Sequence, residues 1–117
     1  MHLIKPTEKR CRDRLSLNRK VILTSGENTL YNLKMVDLST CGLGLLSPKP
    51  INEDNLVSLQ FSLPAYDQNS NINILGKIMH TTQVNRQYLL GIEFQRLTAH
   101  DILVMKEFFI YHNRFNA

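Results

Sequence analysis

No tryptophan occurs among the 117 residues, and there are only two cysteines, four prolines and five glycines. Each scarcity removes a class of protein. Cys11 and Cys41 are too few for a disulfide framework, and free thiols in a reducing cytoplasm are the expectation. Little glycine and proline excludes collagen-like and low-complexity chains. No apolar run approaches the ~20 residues of a membrane-spanning helix, so no membrane span is expected. Residues 1–10 carry Lys5, Pro6, Glu8, Lys9 and Arg10 and lack the apolar stretch of a secretory signal. Gly26, Gly42, Gly44, Gly76 and Gly91 match neither the dinucleotide nor the P-loop pattern. His2, His80, His100 and His112 are scattered, without metal-ligand spacing. His80 falls on the apolar register of its strand, which predicts a hydrogen-bonded core or rim histidine. Glu53 and Asp54 read as a solvated turn. No Ser/His/Asp or Cys/His arrangement is visible. Neither enzymatic activity, nor a metal, nor a cofactor is expected.

What is present describes one globular domain: 43% hydrophobic residues, 21% charged and a mean hydropathy of −0.21. The net charge of +4 is unevenly placed. Residues 1–20 hold seven basic residues against Glu8 and Asp13, a net +5, whereas residues 21–117 hold seven basic and eight acidic, a net −1. The pI of about 9.3 therefore belongs to one short arm. Such an arm suits an anionic partner such as phosphate, nucleic acid or a membrane surface. Charge alone, however, favours the plainer reading of an ordinary solvated tail.

Apolar residues alternate through most of the chain, the period of half-buried strands. Strands are expected over 15–24, 29–38, 43–46, 56–63, 72–84 and 88–94. Tyr31, Leu33 and Met35 should share one face of the second. Ser25 to Asn28 is a turn by composition, Pro64 to Asn71 a polar loop, and Asn85-Arg86-Gln87 a hairpin connection. Thr98-Ala99-His100-Asp101 resembles a capping box with Asp in place of Glu. A helix should run from Ala99 to Tyr111, with Ile102, Met105 and Phe109 on its apolar face and Leu103 and Phe108 widening it. Six short strands and a final helix predict a mainly β protein, a six-stranded antiparallel barrel with a C-terminal helix.

Two motifs stand out. Arg10-Cys11-Arg12-Asp13-Arg14 reads R-x-x-x-R just before the first strand. Composition alone gives roughly 0.4 such pairs, so the pattern is weak by itself. Asp37-Leu38-Ser39-Thr40-Cys41-Gly42 reads D-x-S-x-x-G at the end of the second strand, with roughly 0.01 occurrences expected by chance. An ordinary turn explains the same residues: Asp and Ser bond to local backbone and Gly takes a positive φ.

The two motifs in this order resemble the PilZ domain, the bacterial receptor module for cyclic di-GMP. Gly76-Lys77-Ile78 and Leu90-Gly91-Ile92-Glu93-Phe94 look like the family's later strands, and the likeness runs from about Lys9 to about Tyr111. Lys9 stands where many members carry another arginine, which leaves open whether one or two ligands bind. The resemblance implies a stand-alone, cytoplasmic receptor in two parts. Residues 1–14 are an arm carrying R-x-x-x-R, ordered by the ligand, and residues 15–113 are the barrel and helix. It implies that Arg10 and Arg14 clamp guanine and phosphate, because a guanidinium bonds both bidentately and stacks on purines. Asp37 would accept guanine N–H groups or hold an arginine. Ser39 would bond phosphate or base, and Gly42 would admit the ligand to the backbone or turn the chain. Lys9, Arg12, Cys41 and Gly76 would be supporting positions. If both motifs converge on one ligand, Cys11 and Cys41 approach, and a disulfide between them would lock or block the site. The expected partners are cyclic di-GMP and an effector protein that the sequence does not name. Two other readings keep the same fold: a basic barrel for single-stranded nucleic acid, and an interaction module without a ligand. Barrels of the first kind carry exposed stacking aromatics, whereas here Phe and Tyr mostly fall on apolar registers. Nucleic acid is therefore not the expected partner. The second kind has lost the arginines that this chain keeps.

Overall fold

A computed structural model describes residues 14–65 and 68–116. Six strands precede one helix: β1 (Leu15–Ser25), β2 (Asn28–Leu38), β3 (Gly42–Ser47), β4 (Leu56–Ala65), β5 (Gln68–Val84), β6 (Gln87–Arg96) and α1 (Ala99–Asn116). The strands close into a barrel in the order β1-β2-β3-β6-β5-β4, and every pair is antiparallel. Closure follows from the alternation, because each strand has one apolar side and a barrel buries all six without leaving an open edge. Val21, Leu23, Met35, Leu45, Leu59, Ile78 and Leu90 fill the interior and are fully buried.

Bulges correct the expected faces in two places. The register slips between Val21 and Leu23, where Tyr31 and Asn32 of β2 oppose Ile22 alone, and Asn32 takes φ 59°. The extra residue reverses the alternation. Leu33 and Met35 stay inside, but Tyr31 is 66% exposed. In β5 the register passes from Ile78↔Ile92 to His80↔Gly91, so Met79 is the extra residue. His80 therefore faces outward and is exposed, not in the core or at its rim.

The polar loop expected over Pro64 to Asn71 is instead a tight hairpin, with Pro64 opposite Asn69 and Ala65 opposite Gln68. The β1–β4 pairing covers only Ser58 to Gln60, so Pro64 lies beyond it and its missing N–H costs nothing on that side. The asparagines of this stretch, Asn69 and Asn71, face solvent.

The helix begins at a reciprocal cap. Asp101 N–H donates to Thr98 Oγ1 at 3.0 Å, and Thr98 N–H donates to Asp101 Oδ2 at 3.2 Å. Buried Asp101, Val104, Met105 and Phe108 form the inward face, spaced i, i+3, i+4, i+7. That face is turned by about one residue from the expected one, leaving Ile102 and Leu103 exposed. The helix also runs past Tyr111, to Asn116. It packs on β4 and β5. No helix among the described residues is long and apolar enough to cross a membrane.

Candidate functional site

The D-x-S-x-x-G segment joins β2 to β3. Asp37 is paired with Ser16 on one side and Gly44 on the other. Its Oδ1 accepts a hydrogen bond from Arg14 Nη1 at 2.6 Å. Arg14 ends R-x-x-x-R and Asp37 begins D-x-S-x-x-G, so the two motifs meet as a charged pair. The two side chains are 44% and 32% exposed, and a pair this wet contributes about 0–1 kcal/mol to stability. Its consequence is geometric. A guanidinium carries five N–H donors, and one bond to Asp37 aims the group while leaving the others available.

Ser39 is fully buried. β2 ends at Leu38, so the alternation stops there and Ser39 does not stand beside Asp37 at the surface. Its Oγ accepts the N–H groups of Cys41 (3.1 Å) and Gly42 (3.2 Å) and donates to the Gly42 carbonyl (3.3 Å). Ser39 N–H bonds the same carbonyl at 2.9 Å. The hydroxyl thus locks the turn that carries Asp37 into β3. Ser39→Ala is expected to cost about 1–3 kcal/mol of stability, because it strands two backbone donors in a buried turn. Urea unfolding of the variant against wild type measures this, and an unchanged midpoint would contradict the assignment.

Gly42 does not adopt a positive φ; among the described glycines only Gly26 does, at 62°. Glycine is needed at 42 for space, since a Cβ there would run into the Ile92 carbonyl oxygen and lie 3.1 Å from Glu93 Cα. The bare residue lets β3 close on β6, and Phe94 N–H reaches the Cys41 carbonyl at 2.8 Å. Cys41 is disulfide-bonded, so the expectation of a free thiol fails at this position. That expectation rested on compartment and not on geometry. Lys9, Arg10, Cys11 and Arg12 lie outside the described residues.

Gly76 is not part of this arrangement. A Cβ there would meet Ile92 Cγ2 and Leu59 Cδ1, so it is a packing position in the barrel interior. Beside the Arg14 end of the turn lies an open cleft of about 780 Å³ lined by β5, β6, the β2–β3 turn and the first turns of α1. Arg14, Cys41, Gly42, His80 and Gly91 line it. His80 and Gly91 were not expected here, because only the bulge at Met79 brings the ring outward.

A closed barrel entered by an arginine that pairs with the D-x-S-x-x-G turn is matched at the level of sequence: the PilZ domain model covers residues 8–110. The chain belongs to the PilZ domain family. Solved structures agree on the fold. The Bacillus subtilis inhibitor of motility, MotI/DgrA, superposes with TM-score 0.75 at 11% identity, over 89% of this chain and 51% of that one. The chain thus spans about half the length of the Bacillus protein. The PilZ domain of YcgR from Escherichia coli, solved with c-di-GMP, gives TM-score 0.62 at 13% identity, over 89% of this chain and 95% of that one. No curated protein matches the sequence. Within this PilZ domain the two motifs are joined through Arg14 and Asp37, while Ser39 and Gly42 hold the turn from β2 to β3.

Proposed function

We propose that the protein is a cyclic di-GMP receptor: a binding module in the cytoplasm, not an enzyme, that passes the binding event to a partner protein. The Arg14–Asp37 pair at the rim of the cleft carries the reading. Cyclic di-GMP presents two phosphates and two guanines. The aimed guanidinium of Arg14 suits the O6/N7 edge of a guanine or a phosphate oxygen pair. Asp37 holds that guanidinium and accepts guanine N–H groups when the pair opens. Arg10 joins from the arm, which packs over the bound nucleotide, with Lys9 and Arg12 adding charge. Ser39 and Gly42 act through the turn they hold. The ligand in the YcgR PilZ domain structure supports the same reading.

Calorimetric titration with cyclic di-GMP, GTP and a short oligonucleotide tests it, with and without reductant because a reducing compartment opens a disulfide at Cys41. Saturable binding of cyclic di-GMP alone is the expected result. Oligonucleotide binding that falls steeply with salt would contradict it, as would no heat with any of the three.

A further inference from the structure

One cross-strand row runs over the outside of the barrel and ends in the cleft. Asp37 of β2 faces Gly44 of β3, Gly44 faces Gly91 of β6, and Gly91 faces His80 of β5. Directly opposed residues project from the same face of a sheet, so two polar side chains flank two bare glycines. Both flanking groups lean inward over the gap. A Cβ on Gly44 would lie 3.0 Å from Asp37 Oδ1. A Cβ on Gly91 would overlap the His80 imidazole, reaching Cε1, Nε2 and Nδ1 all inside 3.0 Å. Contact with three atoms of one ring means that the imidazole lies over the Gly91 backbone in the space any other residue would fill. Among the described residues no hydrogen bond or ion pair ties the ring down. Its position follows from the missing side chain at 91. The residue is nonetheless exposed and lines the cleft with Arg14. One ring face is therefore supported by backbone, and the other is left to the cleft.

We propose, resting on the receptor reading, that His80 is a stacking surface for a guanine of cyclic di-GMP, with Gly91 as the seat that keeps the imidazole flat. A supported aromatic ring contributes to binding a base with little selectivity among bases, because every base has a π face. Arg14, at the rim of the same cleft, reads the guanine edge. Affinity and base identity are thus divided between two residues, one from β5 and one immediately before β1.

The test is titration of cyclic di-GMP into wild type, Arg14→Ala, His80→Ala, His80→Tyr, Gly91→Ala and the Gly91→Ala/His80→Ala double variant, with melting curves for each. His80→Ala should weaken binding by about fivefold to a hundredfold while the protein stays folded. His80→Tyr should recover most of the loss. Gly91→Ala should weaken binding by pushing the ring away, and should add nothing once His80 is already alanine. In wild type the His80 Hε1 resonance should move upfield on saturation, a ring-current shift from the stacked base; this readout holds even if Gly91→Ala does not fold. Wild-type binding that Arg14→Ala weakens, with His80→Ala unchanged and a stationary Hε1 signal, would overturn the stacking role and leave the receptor reading standing. Absence of binding by folded wild type would overturn both.

Discussion

Gly42→Ala is expected to destabilise the barrel by about 3 kcal/mol, the upper part of the range for an overpacked site. For a chain of this size that is roughly 10 °C in Tm. The added methyl meets a backbone carbonyl, that of Ile92, and a backbone cannot turn aside as a side chain can. Either β3 withdraws from β6 or the turn bonds from Ser39 lengthen, and both move Asp37 away from Arg14. Gly26→Ala is the control. Gly26 has a left-handed φ of 62° but nothing within 4 Å of a Cβ, so its cost is backbone strain alone, about 1 kcal/mol. Chemical denaturation of the two variants separates crowding from strain. A smaller loss for Gly42→Ala than for Gly26→Ala would contradict the close-approach account.

Arg14→Ala should lower cyclic di-GMP affinity tenfold to a hundredfold, the loss of a charge-assisted hydrogen bond worth roughly 1.5–3 kcal/mol. Arg14→Lys should lose much of the same, since it keeps the charge but not the planar fork. Neither should move the melting temperature appreciably, because the exposed pair with Asp37 contributes little to folding. Asp37→Asn should weaken binding in wild type and add little in the Arg14→Ala background, since Asp37 acts largely through the arginine it aims. Undiminished affinity for folded Arg14→Lys would rule out the bidentate contact.

The barrel was legible because alternation is a local signal: Val21, Leu23, Leu33, Met35, Leu59 and Ile78 announce their faces within a few residues. The errors fall where the count of two is broken. Nothing around Tyr31 or Met79 marks an extra residue, yet each bulge reversed the side chain next to it and put Tyr31 and His80 outside. The 64–71 stretch looked like a loop because its composition is that of loops. Its pairing partner, which decides the matter, lies across a hairpin. Arg14 and Asp37 were legible as members of two motifs and are brought together by the start of β1 and the end of β2. Ser39 was legible as important but not as buried, since whether a hydroxyl faces a ligand or its own turn depends on where the strand stops. The row from Asp37 to His80 spans four strands that are not consecutive in the chain, and no local pattern contains it.

The central claim is that the Arg14–Asp37 end of the barrel receives the nucleotide. Backbone amide shift mapping during a cyclic di-GMP titration addresses it directly. The account predicts saturable shifts clustered at Arg14, Asp37, Cys41, Gly42, Gly44, His80 and Gly91, with little change at Asn28, Thr29, Asn52 and Asn55, which line a separate cavity. Shifts concentrated at that second cavity, or none anywhere at saturating nucleotide, would contradict it.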